Sequence, residues 1–395
     1  MNIEGRLDIQ LSLDEQCCRQ VQIKSSRPLA ATRVFHGKTP EEVLKILPML
    51  YNICGNAQAQ AAETACLQAQ GVAVTERQRE DIARDMLVMI ETAKEHLCRI
   101  LIDWSGYLDE ASAASDMKAV LKLSSSFKQS LFEEGVAFGE AARVKTDLNQ
   151  AQVLIEQLDK LLEQAVFVNK PEDWFSLKNI NALFEWAERG ETLASRLLRQ
   201  TRQLDWENLG INEVEFLPEL DQSLLLKQFN ATDAEEFIAR PSWSNKSFES
   251  TSLARQKDHP LIKSASLEYE NGLLIRLVAR LLELAEIPSR LRKKLEMIEG
   301  IDASKNKTQI HSDSGIGLGQ VEAARGRLVH CVKLERGIVK RYQILAPTEW
   351  NFHPAGVVAQ GLKSLTTNDE SLLRRQADML INAIDPCVAY DIKVH

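Results

Sequence analysis

The spacing of apolar residues changes twice along the chain, and this change limits the folds that the chain can adopt. From Arg6 to Leu13 apolar and polar residues alternate strictly, which predicts a half-buried strand, and Val21 and Ile23 predict its antiparallel partner. Between about residues 75 and 300 apolar residues instead recur every three or four positions, and strand-like spacing returns after Gly319. The pattern predicts an α+β protein with a central helical bundle and small β-sheets formed by the N- and C-terminal regions.

Capping signals mark where several helices should begin. Proline is favoured at the first helical position, so a helix is expected to start at Pro40, and its end leaves Cys54 near the following junction. A capping box at 75–78 should open a long helix that reaches Ile100. The same apolar spacing predicts helices in the ranges 148–162, 183–197, 267–284 and 371–384, and a short helix after Pro354.

Two segments rich in Ser, Gly or Pro, 239–260 and 304–319, are predicted to be irregular connections. A hairpin is expected from the strand patterns 327–334 and 338–345 around the turn at 335–337. The glycine run 315–319 is not a dinucleotide fingerprint, because the preceding strand, the following helix and the spacing of the third glycine are missing.

Composition excludes several classes of function. The net charge of -8 and the scattering of Lys and Arg among acids leave no basic surface for nucleic acid. No apolar run approaches the length of a membrane span, and the first residues do not form a signal peptide, so we expect a cytoplasmic protein. The seven cysteines fit reduced thiols. Cys66 and Cys98 are expected to be buried in helices, and the adjacent Cys17 and Cys18 are poorly placed to bind one ion.

Six segments resemble motifs of nickel-iron hydrogenase large subunits, and they occur in the same order along the chain. The large-subunit motifs are RIEGHL, RICGxC, GPLAR, EAPRGxLxH, YQxxxPTxWN and DPCxxC…H. The corresponding segments are Ile3–Leu7, Ile53–Ala57, Ser252–Arg255, Glu322–His330, Tyr342–Asn351 and Asp385–His395. Both cysteine motifs lack their second cysteine, since Ala57 and Tyr390 stand in its place. The chain also resembles HupK/HoxV-type maturation proteins, which are shorter relatives of the large subunit.

This resemblance implies a fold and a site. The fold would be large-subunit-like, as one domain over 1–395 with an N-terminal region 1–70, a helical region 71–300 and a C-terminal region 301–395. In the family the missing cysteines bridge nickel and iron, so the resemblance implies that Cys54 and Cys387 hold a single iron and that nickel is not expected. Arg325 would donate to one cyanide ligand of an Fe(CN)2(CO) fragment, and Thr348 with the backbone around Pro347 would donate to the other.

The implied function is a non-enzymatic maturation scaffold that carries Fe(CN)2(CO) to a hydrogenase large subunit. Expected partners are Hyp-type assembly chaperones and the acceptor large subunit. Two alternatives stay open: a divergent large subunit that is an enzyme, and a metal-free interaction protein that mimics the large subunit. Since large subunits are made with an extension that is removed after nickel arrives and this chain stops at His395, we expect no proteolytic processing.

Several residues have more than one interpretation at this stage. Cys54 and Cys387 could be relics in a buried pocket, Arg325 could form only an ion pair, and Thr348 could cap a turn. His330 is expected to satisfy packing and a hydrogen bond rather than bind metal. Glu4 could serve a proton route or hydrogen-bond the Cys387 loop, and Tyr390 is interpreted as part of a site for iron alone. Contact between Cys54 and Cys387 tests the predicted fold.

Overall fold

The computed structural model describes residues 5–13, 18–51, 53–72, 78–301 and 311–395. The predictions made for Glu4, Cys17, the start of the capping box at 75–77 and the segment 304–310 lie outside these residues. The strands are β1 Arg6–Leu13, β2 Cys18–Ser25, β3 Gly315–Ala323, β4 Gly326–Glu335, β5 Ile338–Leu345 and β6 Ala389–Val394. The first helices are α1 Pro40–Leu50, α2 Gly55–Ala69, α3 Gln78–Cys98, α4 Trp104–Tyr107, α5 Ala114–Leu131, α6 Asn149–Leu162, α7 Pro171–Phe175, α8 Ile180–Arg189 and α9 Leu193–Gln203. The later helices are α10 Gln222–Asn230, α11 Ala234–Ala239, α12 Ser252–Gln256, α13 Pro260–Tyr269, α14 Leu273–Glu299, α15 Pro347–Asn351, α16 Val357–Lys363 and α17 Glu370–Ile384.

The first sheet joins the two ends of the chain. Its strand order is β2-β1-β6, with β2 antiparallel and β6 parallel to β1. The alternating side chains Leu7, Ile9 and Leu11 of β1 are buried, as the period of two predicted. Strand β6 brings the segment that follows Cys387 beside the segment that follows Gly5. The prediction of a small sheet made from both terminal regions is confirmed.

The second sheet has the order β3-β4-β5 and packs on α2. The hairpin of β4 and β5 was predicted, but β3 was not, and the prediction of an irregular segment up to Gly319 is wrong from Gly315 onward. Gly315, Gly317 and Gly319 of β3 face α2 so closely that a Cβ on each would overlap a helix carbonyl oxygen. A strand whose packed face consists of glycine shows no apolar alternation, so the sequence pattern did not predict β3.

The helical region packs around α3 and α14, which contact each other along their length. Helix α14 is buried over most of its residues, and the largest apolar cluster combines it with α3, α5, α6 and α9. Several buried charged side chains inside this region form ion pairs. Arg276 of α14, for example, lies 2.9 Å from Glu249, and both side chains are almost completely buried. The predicted central helical bundle is confirmed.

Two predicted helices are each divided in the structure. The range 183–197 contains α8 and α9, and α9 begins after Thr192, whose hydroxyl accepts a hydrogen bond from the Ser195 amide. The range 267–284 contains α13 and α14, which are separated at Glu270, where φ is +46°. The apolar spacing continues through both breaks because the helices on either side bury residues against the same core.

The segment 239–260 was predicted to be an irregular connection, and it is only partly so. It contains helix α12, and residues Glu249 to Thr251 are buried. The Asn351 side chain holds this stretch, because its Oδ1 accepts from the Ser250 amide at 2.8 Å and its Nδ2 donates to the Ser250 carbonyl at 2.9 Å. Buried backbone polar groups need such partners, so a long connection can pass through the interior here.

The cysteines outside the candidate site differ in burial. Cys66 in α2 and Cys18 in β2 are buried, whereas Cys98 at the end of α3 is only half-buried, so the prediction of burial is wrong for Cys98. Cys98 lies where α3 passes into a wider π-type turn at Arg99–Asp103, which turns part of its surface toward solvent. No helix in the described ranges is long and apolar enough to cross a membrane.

Candidate functional site

Cys54 and Cys387 lie in contact and line one cavity, which confirms the contact that the motifs predicted. Cys54 is the N-cap residue of α2, and Cys387 lies between the end of α17 and the start of β6. Helix α17 ends at Asp385, whose left-handed backbone, with φ of +68°, turns the chain toward the cavity. The parallel pairing of β6 with β1 then fixes this turn beside the N-terminal region.

A hydrogen bond joins the two sulfurs and shifts their pKa values in opposite directions. The hydrogen bond between them and burial raise the pKa of Cys54 well above its ordinary value. The same hydrogen bond, the Arg325 guanidinium and the Thr348 hydroxyl together lower the pKa of Cys387 to about 7, against the effect of burial. At neutral pH the Cys387 sulfur is therefore partly ionised, and the thiolate is the form that binds metal.

Arg325 follows β3 and is held by two carboxylates. Its Nε donates to Asp385 Oδ1 at 3.0 Å and its Nη2 to Glu95 Oε2 at 3.0 Å. Its remaining nitrogen, Nη1, is buried and has no hydrogen-bond partner among the described residues. Arg325 thus forms ion pairs, which are buried rather than at the surface, and one donor is left over beside the cysteines.

Thr348 offers a second donor of the same kind. It follows Pro347 in the first turn of α15, whose N-cap is Ala346 without a side-chain cap hydrogen bond, so the interpretation of Thr348 as a capping residue is wrong, and Pro347 itself lines the cavity. Thr348 is buried, and its Oγ1 has no well-aligned hydrogen-bond partner within the part of the chain that the structure describes. The hydroxyl nevertheless lies close enough to Cys387 to lower the pKa of that thiol. Several other buried side-chain atoms also lack a partner among the described residues, and Thr348 Oγ1 and Arg325 Nη1 differ from them in lying beside Cys387.

Asp385 is the centre of a cluster of arginines that fixes the Cys387 loop. Its Oδ1 accepts from Arg99 Nε at 2.8 Å as well as from Arg325, and Arg280 lies 3.5 Å from Oδ2. These cations hold the pKa of Asp385 far below its ordinary value, although burial acts in the opposite direction. Sequence reasoning missed Arg99, which belongs to the π-type turn after α3. Its only signal was the i,i+4 spacing of Arg99 and Asp103, which form an ion pair.

Arg27 is a second residue of the site that the sequence did not reveal. Its Nη1 lies 3.1 and 3.3 Å from the two oxygens of Glu349, and its guanidinium carbon lies 5.9 Å from the centre of the Tyr51 ring. It lines the cysteine cavity with only 12% of its side chain exposed. Gly5 packs against its backbone, since a Cβ there would lie 2.6 Å from the Arg27 Cα. No motif of the chain contains Arg27.

The cysteine cavity is small in this state. Its volume is about 20 Å³, which is the space of about one water molecule. It shares Arg27 and Tyr51 with an adjoining cleft of about 510 Å³ whose other walls carry Arg33, Lys340 and Arg341. A ligand larger than water at the sulfurs would have to move side chains that line the cavity. Arg27 and Tyr51 form the wall between the cavity and the cleft.

The two positions that lack cysteine do not supply another ligand to the cavity. Ala57 is buried in α2, and its amide donates to Glu91 Oε1 at 3.1 Å. The Tyr390 hydroxyl donates to Asp378 Oδ1 at 2.7 Å and lines a different cleft, so its interpretation as part of an iron site is wrong. The alternation of side chains along β6 directs Tyr390 toward α17 instead. Among the described residues there is no group of three or more His, Cys, Asp or Glu side chains that could hold a metal ion.

His330 is confirmed as a residue with packing and hydrogen-bonding roles. It is buried in β4, where Nδ1 lies 2.7 Å from the Tyr342 hydroxyl and Nε2 lies 2.9 Å from Gln58 Oε1. Burial lowers its pKa to about 3, so the ring is neutral. Gln58 was not singled out in the sequence, although its Nε2 lies 3.5 Å from Cys54 Sγ.

Comparisons with known proteins agree with the motifs. Residues 222–392 match the family model described as nickel-dependent hydrogenase. The chain is 29% identical over 392 residues to the hydrogenase expression/formation protein HoxV of Cupriavidus necator, covering 94% of this chain and 92% of that protein. It is 25% identical over 391 residues to the hydrogenase expression/formation protein HupK of Rhizobium leguminosarum bv. viciae, covering 99% and 96%.

Among solved structures, the Ni-Fe-Se hydrogenase of D. vulgaris Hildenborough in the reduced state superposes with a TM-score of 0.67 at 16% identity, covering 95% of this chain and 94% of that chain. At this identity the likeness shows the fold alone. The predicted large-subunit-like α+β fold is confirmed, and so is the resemblance to HupK/HoxV-type proteins.

Proposed function

We propose that this protein is a non-enzymatic maturation scaffold that holds an Fe(CN)2(CO) fragment at Cys54 and Cys387 before the fragment passes to a nickel-iron hydrogenase large subunit. One observation carries the proposal. Two cysteine sulfurs in contact are bordered by two buried donors, Arg325 Nη1 and Thr348 Oγ1, that have no partner of good geometry among the described residues. The names of the relatives, which are called expression/formation proteins, support the maturation role.

The donor set suits the chemistry of such a fragment. Low-spin iron with cyanide and carbon monoxide is a soft centre that thiolates bind well. Each cyanide presents a partly anionic nitrogen that accepts hydrogen bonds, and Arg325 and Thr348 would each supply one. Because the guanidinium is already fixed by Asp385 and Glu95, its free N–H is held in place before any guest arrives.

A dinuclear nickel-iron centre does not fit the same residues. Two sulfurs line the described part of the cavity, and both would be needed by one iron. Ala57 and Tyr390 supply no bridging ligand, since one is a buried methyl group and the other is bonded to Asp378. We therefore propose that the chain does not turn over hydrogen and that the large subunit is the acceptor, with Hyp-type assembly chaperones as donors of the fragment.

A second candidate function is a metal-free interaction protein that mimics the large subunit. The observation that favours it is the small volume of the cysteine cavity, about 20 Å³. In that case Cys54 and Cys387 would serve only to join the terminal regions. The two candidates differ in whether cyanide and carbonyl groups are found on the purified protein.

Infrared spectroscopy of protein isolated from cells that make the cofactor tests the proposal. We expect cyanide and carbonyl bands in the wild type and their loss in a Cys54→Ser, Cys387→Ser double variant. A Cys66→Ala variant is the matched control, because Cys66 lies in the same helix as Cys54 but does not line the cavity. Absence of the bands from the wild type, or their survival in the double variant, would contradict the carrier function.

A further inference from the structure

A row of buried hydrogen-bonding side chains leads from β5 through β4 to Cys54. The Tyr342 hydroxyl lies 2.7 Å from His330 Nδ1, His330 Nε2 lies 2.9 Å from Gln58 Oε1, and Gln58 Nε2 lies 3.5 Å from Cys54 Sγ. Tyr342, His330 and Gln58 have exposed fractions of 5%, 0% and 2%. Water therefore does not compete with these bonds, and each one restricts the next.

The direction of the row follows from what each atom can donate. His330 is neutral and carries one ring N–H. The Gln58 carbonyl oxygen can only accept, so the ring proton lies on Nε2, and Nδ1 accepts from the Tyr342 hydroxyl. With its oxygen bonded to His330, the Gln58 amide presents its NH2 group to the Cys54 sulfur.

The row continues beyond Cys54 in the same direction. Cys54 is hydrogen-bonded to Cys387, which lies near the Thr348 hydroxyl and the Arg325 guanidinium. Hydrogen bonds that point the same way polarise one another and are stronger together than alone. The row of hydrogen bonds therefore ends at Cys387.

We propose that Gln58, oriented by His330 and Tyr342, is a positioning residue that donates a hydrogen bond to Cys54 Sγ and reduces the electron density which that sulfur gives to bound iron. This inference rests on the proposed function, because it concerns the iron fragment at the same pair of cysteines. A donor at a thiolate draws charge from the sulfur, and hydrogen bonds to sulfur ligands are an established way in which proteins tune a metal. The iron–sulfur bond becomes weaker, which suits an iron fragment that must later pass to the large subunit.

Gln60 offers a matched control on the same helix. It is a partly buried glutamine of α2, whereas Gln58 is fully buried, and its amide donates to Asp85 rather than to a sulfur. Gln58→Leu removes the donor to Cys54, and Gln60→Leu removes a glutamine amide without touching the site. Tyr342→Phe is a milder change that removes only the hydroxyl which fixes the His330 ring, and it keeps the test available if Gln58→Leu does not fold.

The carbonyl band in the infrared spectrum reports the electron density on iron. More density on iron weakens the carbon–oxygen bond, so we expect the band of Gln58→Leu to move to lower wavenumber than in the wild type. Tyr342→Phe should shift it less and in the same direction, and Gln60→Leu should leave it unchanged. A merely structural role of Gln58 would lower the yield of folded protein without moving the band. Identical band positions in wild type and Gln58→Leu would overturn this inference and leave the proposed function intact.

Binding of Co²⁺ to the metal-free protein separates the inference from the proposed function. If wild-type protein carries no carbonyl band, the proposed function fails, and the sulfur-to-cobalt charge-transfer band then decides the inference. We expect that band at lower energy in Gln58→Leu than in the wild type and in Gln60→Leu, because a sulfur without its donor gives up charge more easily. No change between these proteins, or no thiolate band in any of them, would overturn the inference.

Discussion

Arg325 forms buried ion pairs and also offers a free hydrogen-bond donor. Its Nε and Nη2 neutralise Asp385 and Glu95 in the interior, and its Nη1 stays available beside Cys387. Lysine could provide the charge but not three donors in one plane. The side chain thus supports the Cys387 loop and is also a candidate hydrogen-bond donor to a bound iron fragment. The two roles can be separated by substitution.

Replacing Arg325 should destabilise the fold through its carboxylate partners. Arg325→Met leaves two buried carboxylates with fewer cations, and we expect a loss of about 3–5 kcal/mol in the free energy of unfolding, measured with urea. Arg325→Lys should lose less because the charge remains. Arg33→Met, at a side chain that is 79% exposed, serves as control and should change the value by less than about 0.5 kcal/mol. An unchanged unfolding curve for Arg325→Met would contradict the ion-pair account.

The buried carboxyl group of Glu91 predicts that the free energy of unfolding depends on pH. Burial raises its pKa to about 7, although the amides of Asn56 and Ala57 donate to its carboxylate. Because the folded pKa is above the unfolded value of 4.5, the stabilisation due to the protonated form is complete below pH 4.5 and is lost as pH rises through 7. Glu91→Gln cannot titrate, so its free energy of unfolding should improve relative to the wild type by roughly 1–3 kcal/mol between pH 4.5 and 7.5.

Urea unfolding at several pH values checks this expectation. The exposed variant Glu41→Gln controls for the loss of a carboxylate alone. If the curves of wild type and Glu91→Gln stay parallel across this range, Glu91 does not titrate in it, and the N-terminal end of α2 is held by a permanently charged group.

At the scale of elements, the close packing of β3 against α2 positions the site. The three glycines of β3 allow its backbone to lie against α2, whose first residues follow Cys54. We expect Gly317→Ala to lower the free energy of unfolding by about 1–3 kcal/mol, because its methyl group would overlap the Ala65 carbonyl oxygen. The measurement is thermal or urea unfolding.

Gly106→Ala is the control for this substitution. Nothing lies within 4 Å of the Cβ position at Gly106, and the residue is in a helix, so alanine there should be neutral or slightly stabilising. Equal effects of the two substitutions would show that β3 does not need glycine for close packing.

The elements also show what can be predicted from the sequence. Strand β1 and helix α6 were predicted because each buries one face, which leaves a regular apolar period, whereas β4 was predicted from its apolar run and the adjoining turn. Strand β3 was missed because its packed face is glycine, and the breaks at Glu270 and before α9 were missed because neighbouring helices share one core. At the site, motifs identified Cys54, Cys387, Arg325 and Thr348, whereas Arg27, Arg99 and Gln58 reach it from positions that no motif marks.

At the scale of the whole molecule, the pairing of β1 with β6 makes the cysteine pair possible. The N-terminal region carries Arg27 and Cys54, and the C-terminal region carries Arg325, Thr348 and Cys387. The sheet β2-β1-β6 and the packing of α2 on β3 and β4 fix these two regions beside each other. The helical region contributes Glu95 and Arg99, which hold Arg325 and Asp385 from the other side.

The metal content of the protein purified from cells that make the cofactor tests the central claim most directly. The account predicts iron that approaches one per chain, no nickel, and loss of the iron in the Cys54→Ser, Cys387→Ser variant but not in Cys66→Ala. Nickel in equal amount to iron would contradict it in favour of a divergent enzyme. A wild-type protein without iron, or iron that survives the double substitution, would contradict the claim that this pair of cysteines holds the fragment.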